Sequence, residues 1–110
     1  MKKIYIAGKV SGEPIAECTM KFGMMQKQVE ELGFIAVNPL EVVGTWKITW
    51  YQAMKKCIRA LVDCDGMVLL PDWPDSTGAK IERQLAEDLG LTICNGTKSG
   101  LEVLKNNLNK

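Results

Sequence analysis

"GMVLLPDWPDSTGAKIERQLAEDLG", residues 66 to 90, opens on an apolar run, crosses a loop rich in Pro, Asp, Ser and Gly, and continues at helical spacing. The run "GMVLLP" (66 to 71) is apolar at nearly every position, as expected of a strand buried on both faces of a parallel sheet. On a wheel of about 100° per residue with Ile81 at zero, Leu85, Gly78, Leu89, Ala86 and Ala79 share an arc of about 160°. Arg83, Glu87, Lys80, Gln84 and Asp88 lie opposite. Strand, loop and amphipathic helix in succession make half of a βαβ unit. Glu82 breaks the pattern, falling near the middle of the apolar arc as its only charged residue. A carboxylate there needs a partner, a raised pKa or a solvent-filled pocket.

The same alternation extends in both directions. Upstream, "KIYIAG" (3 to 8) and "FIAVNP" (34 to 39) read as strands ended by Gly8 and by Asn38-Pro39. Between them Met20, Met24, Val29 and Leu32 recur roughly at helical spacing, with Gly33 as a stop. "LEVVGTWKIT" reads as a loop or broken piece, and "WYQAMKKCIRALVDC" as a helix with Met54, Ile58, Leu61 and Val62 inward. Downstream, "LTIC" (91 to 94) is a fourth strand and "SGLEVLKNNLNK" (99 to 110) a last helix. The succession predicts one α/β domain over residues 1 to 110. Its expected form is a three-layer, flavodoxin-like or Rossmann-like doubly wound parallel sheet of about four strands, in the order 2-1-3-4. In such sheets ligands bind beyond the carboxyl ends of the strands, at the switch point of strand order. "AGKVSGEP", "NPLEVVG", "PDWPDSTGA" and "NGTKSG" are the loops expected there.

Composition narrows the chemistry. With 14 basic and 13 acidic residues the net charge is +1, which predicts no electrostatic footprint for DNA or RNA, and no nucleic-acid partner is expected. Cys18, Cys57, Cys64 and Cys94 form no C-x-x-C pair and the chain has no His, so neither a metal nor a cofactor is expected. The opening "MKKIYIAGKVSGEP" is broken too early by Gly8, Lys9 and Gly12 for a signal peptide or a membrane span, and a cytoplasmic protein with reduced thiols is expected. Without His, acid-base work falls to Asp, Glu, Tyr, Lys or Cys.

Several residues invite a functional reading beside a structural one. In "DSTGA" (75 to 79), Ser76, Thr77 and the Gly78 amide suit a phosphate at a helix start, and Ser76 or Thr77 equally suits a helix cap. "GKVSG" (8 to 12) poses the same choice and is neither a P-loop nor G-x-G-x-x-G. Trp46, Trp50, Trp73 and Tyr5 fall near predicted loop ends, where flat aromatics either stack on a base or simply pack. Asp65, Asp72 and Asp75 flank the third strand, the usual place for solvated turn carboxylates.

Taken together, "IYIAGKVSG", "LGFIAVNP", "LVDCDGMVLLPDW" and "DSTGAKIERQLAEDLG" resemble the small nucleoside 2-deoxyribosyltransferase-like family of bacterial and phage genomes, related to deoxynucleoside 5′-monophosphate N-glycosidases. The resemblance spans residues 4 to 93. It implies a flavodoxin-like fold, a nucleoside or nucleotide substrate, and a homo-oligomer, dimer or higher, with Trp46 or Trp50 lining the contact. It also implies Glu82 as the nucleophile that attacks the anomeric carbon of 2′-deoxyribose, with Tyr5 beside it. Ser76 and Gly78, with Thr77 between them, match the turn that holds a 5′-phosphate, and Gly8 and Gly12 match a loop that closes over sugar and phosphate. A structural role is expected for Asp65. One position departs from the family: the catalysing relatives carry an aspartate eight residues before the Asp65 position, where this chain has Cys57. A thiol is a weak donor with a pKa near ~8.5 and does not replace an ionised carboxylate. Asp72 and Asp75 are the nearby carboxylates available instead, and Asp72 is counted with the substrate-binding residues. The departure gives a second expectation, a nucleotide-binding module without turnover.

Overall fold

Residues Ile4 to Ala7 are all fully buried, because β1 (Lys3–Ala7) runs through the middle of the molecule with a strand on either side. The computed structural model describes residues 1–109. β1 leads through α1 (Ile15–Glu31) to β2 (Ile35–Val37), then through α2 (Pro39–Val43) and α3 (Trp50–Leu61) to β3 (Gly66–Leu69). A single 3-10 turn at Trp73–Asp75 precedes α4 (Thr77–Asp88), and β4 (Thr92–Asn95) and α5 (Lys98–Leu108) complete the chain. The four strands are parallel in the order β2-β1-β3-β4, a flavodoxin-like arrangement, with Tyr5 in register with Val37 on one side and Met67 on the other.

Strand alternation divides the core into two layers. Ile4, Ile6, Val68 and Leu70 face Cys18, Phe22, Met25 and Val29 of α1 and Leu101 and Leu104 of α5. Tyr5, Ala7, Met67 and Leu69 face Cys57 and Leu61 of α3 and Ala79 and Ala86 of α4. Glu82 belongs to this second layer, which makes the α3 and α4 side of the sheet the one where a carboxylate is enclosed.

The elements begin and end for local reasons. Asn38 caps α2 by accepting the Leu40 N–H at 2.9 Å, Pro39 supplies a first residue that needs no N–H partner, and Gly44 closes the helix at φ 74°. The expected loop "LEVVGTWKIT" therefore contains one short helix. Thr49 and Gln52 form a capping box at the start of α3. Asp65 accepts the Lys3 N–H at 2.9 Å and pins the start of β1 beside β3, the structural role expected of it.

Three helix readings need correction. In α1 the buried stripe is Cys18, Phe22, Met25 and Val29, while Met20 and Met24 are 65% and 58% exposed. Two stripes of similar spacing compete there, and the one containing Phe22 meets the sheet. In α3, Val62 is the exposed C-cap, and Cys57 joins Leu61 in the core. In α4 the buried residues are Gly78, Ala79, Glu82 and Ala86, whereas Ile81 and Leu89 are exposed. Ile81 lies at the edge of the arc and Leu89 at the helix end, so the small residues around Glu82 make the close approach. The last helix begins at Lys98, and the Lys110 expected in it lies outside the described residues.

Candidate active site

The site is assembled where the sheet reverses strand order, at the carboxyl ends of β1 and β3. The chain leaves β1 at Gly8, where a Cβ would stand 2.7 Å from Cδ1 and 3.0 Å from Cβ of Leu70. Only a residue without a side chain lets the two strand ends run this close, as the Leu70 N–H to Ala7 carbonyl bond requires. Gly12 then turns the loop at φ 78° toward α1.

Glu82 projects from α4, one and a half turns after its start, toward the middle of the sheet. It is only 6% exposed, and its Oε2 accepts a hydrogen bond from the Tyr5 hydroxyl at 2.8 Å. Tyr5 is therefore not a rim aromatic. Its ring is fully buried beneath the site and only its hydroxyl serves it. Burial raises the Glu82 pKa to about 7, and the Tyr5 hydrogen bond works in the opposite direction. Burial and the neighbouring Glu82 charge push Tyr5 well above its ordinary value, so the phenol stays protonated and donates. Cys57, on α3, stands beside both groups. Burial takes its thiol to about 11, against the pull of Tyr5 and with the push of the Glu82 charge, and at neutral pH it carries no charge. The result is one ionisable carboxylate flanked by two neutral, protonated groups.

The start of α4 is capped by Ser76, whose Oγ accepts the Ala79 N–H at 3.1 Å. Its structural role is thus realised, while the same residue faces the cavity described below. A Cβ on Gly78 would stand 2.9 Å from Sδ of Met54, so this glycine also sets how closely α3 and α4 pack at the site. Asp72 is committed elsewhere. It accepts the Lys9 N–H at 3.0 Å and pairs with Lys21, which also holds Glu13 at 2.9 Å. Burial opposes its ionisation, but Lys21 and the Lys9 N–H outweigh that and keep its carboxyl below the usual range. Asp72 thereby ties the loop after β3 to the loop after β1.

A cavity of about 820 Å³ opens over these elements. Of the residues singled out from sequence, Glu82, Cys57, Gly8, Gly12, Ser76 and Gly78 line it, and Trp46 and Trp50 form part of its outer wall. Tyr5 underlies it through Glu82, and Asp72 and Thr77 are not among its lining residues. Trp73 is drawn away as well, its ring covered by the Arg83 guanidinium at 5.2 Å. Asn38, the first residue of the loop expected after the second strand, and Gln26, on α1 and not expected at the site, line the cavity and are joined by an Asn38 Nδ2 to Gln26 Oε1 bond of 3.1 Å. Asn38 is a buried polar residue at the carboxyl end of β2, a position that marks it as a site residue once the strand order is known.

The geometry defines a parallel α/β domain with a concave site at its switch point. A family profile with the description "Domain of unknown function (DUF4406)" matches residues 2–95, and the chain belongs to that family. The match runs to the end of β4 and includes every candidate site residue. No curated protein matches the chain. Among the described residues no helix is long and apolar enough to cross a membrane, and no group of three or more Cys, Asp or Glu residues is placed to hold a metal ion.

Proposed function

We propose that this chain cleaves the N-glycosidic bond of a 2′-deoxynucleoside or its 5′-monophosphate, or transfers the 2-deoxyribosyl group, through a covalent ester on Glu82. The observation that carries the reading is the enclosed Glu82 carboxylate, oriented by Tyr5 at 2.8 Å on the wall of a cavity large enough for a nucleotide. Oε2 is engaged by Tyr5, which leaves Oε1 to act. Its attack on the anomeric carbon forms a C–O bond as the C–N bond breaks, and the electron pair leaves on the base nitrogen, which takes up a proton from solvent. Water, or the N–H of a second base, then attacks the same carbon, loses its proton to solvent, and displaces the Glu82 carboxylate. The resemblance to the nucleoside 2-deoxyribosyltransferase-like family supports the same roles. The start of α4, with Ser76 and Gly78 on the cavity wall, suits the 5′-phosphate.

The test is base release from the common deoxynucleosides and their monophosphates. The expected result is release by the native chain and none by Glu82→Ala. Equal release by both would overturn the proposal.

Cys57 supports a second reading, a nucleotide-binding module without turnover, because a neutral thiol stands where the catalysing relatives carry a carboxylate. That reading expects a rise in melting temperature with nucleotide and no free base. Either reading carries a homo-oligomer with it. The surface that supports one is the outer side of α1, where Met20 and Met24, four residues apart, are both exposed.

A further inference from the structure

The near-balance of charge averages over an uneven distribution. Between Glu41 and Asp63 the chain has four cations, Lys47, Lys55, Lys56 and Arg59, and no acidic residue, which leaves 10 basic and 13 acidic residues elsewhere. All four are exposed, and among the described residues none of them pairs with a carboxylate. They line a second depression, beside the cavity. Thr45 and Ile48 belong to the walls of both, so the basic depression and the Glu82 cavity adjoin across one loop.

Exposed aromatics accompany the charges. Tyr51 is 72% exposed and meets Trp50 edge to face at 5.4 Å, and Trp46 is exposed on the same loop that divides the two depressions. Lys55 and Arg59 follow one another at i and i+4 along α3, about 6 Å apart along its axis. The aliphatic face of α3 is spent on the core through Cys57 and Leu61, and the large side chains it leaves exposed, Trp50 and Tyr51, are confined to its first turn. Unpaired cations along a groove, with exposed aromatic side chains at its border, are the features that hold a phosphodiester backbone while its bases stack.

We infer that the α3 face is a binding platform for single-stranded nucleic acid, leading to the mouth of the Glu82 cavity. The binding itself stands on the charge and aromatic pattern. Its extension, that the unit presented to Glu82 is a nucleotide of a polynucleotide chain, rests on the function proposed above.

The experiment is fluorescence anisotropy with a labelled oligothymidylate of about 12 nucleotides. The native chain is expected to bind and to lose roughly 50-fold in affinity between about 50 and 200 mM salt, as for about four phosphate contacts. Lys55→Glu with Arg59→Glu is expected to abolish binding with an unchanged melting temperature, and Tyr51→Ala to weaken it roughly tenfold. Release of free base from the same oligonucleotide is followed in parallel, so that binding without release separates failure of the chemistry from failure of the platform. No binding at the lower salt, binding unaffected by the charge reversals, or equal affinity for phosphatidylserine vesicles with no effect of Tyr51→Ala would each overturn the inference.

Discussion

Glu82 holds a proton more tightly in the folded chain than in the unfolded one, and this makes its state visible in stability. With a folded pKa of about 7 against an ordinary 4.5, the native state binds more protons than the unfolded state between those values. Stability therefore falls as pH rises from about 4.5 to about 7 and levels off above, by about 3 kcal/mol from this residue. Glu82→Gln is expected to remove that slope and to be the more stable protein at pH 8, as thermal melts across the range would record. In the proposed mechanism the same group gives activity the opposite trend. A nucleophile must be ionised, so kcat/KM is expected to climb with pH through about 7. Tyr5→Phe removes the donor that favours the carboxylate and is expected to move that limb to higher pH, whereas a Tyr5 that merely fills space would leave the limb in place.

Among the elements, the site depends on two small contacts at strand and helix ends. Gly8→Ala drives a methyl into Leu70 and is expected to cost about 1–3 kcal/mol in urea denaturation, since the neighbour is a packed core side chain. Ser76→Ala removes the cap of α4 and is expected to cost about 1 kcal/mol while also altering the cavity wall. These elements were legible in sequence to different degrees. The β3 to α4 segment reads correctly as strand, loop and helix because a continuous apolar strand and helical spacing are both strong patterns, and the anomaly at Glu82 survives as a buried carboxylate, although Ile81 and Leu89 of the expected apolar arc are exposed. The inner face of α1 does not read correctly, because Met20 and Met24 are as apolar as Phe22 and Met25 and only the position of the sheet decides between them. Asp72 was invisible as a tie for the same reason. Its partners Lys9 and Lys21 lie 63 and 51 residues away, and no local pattern joins them.

For the molecule as a whole, strand order converts scattered loops into one site. Parallel pairing in the order β2-β1-β3-β4 brings the ends of β1, β2 and β3 to one edge, and α3 and α4 close that edge from one side. Alternation along the sequence was enough to expect this sheet, and with it the switch point. It was not enough to find Gln26, whose neighbours in the cavity come from other parts of the chain. The central claim is that this edge performs a substitution at an anomeric carbon with Glu82 as the attacking group. Intact mass after incubation with a 2′-fluoro arabino nucleoside monophosphate tests it most directly. The expected result is a gain equal to the fluorinated sugar phosphate, localised to the peptide containing Glu82 and absent in Glu82→Gln. An unmodified mass under conditions where the nucleotide demonstrably binds, or an adduct that persists in Glu82→Gln, would contradict it.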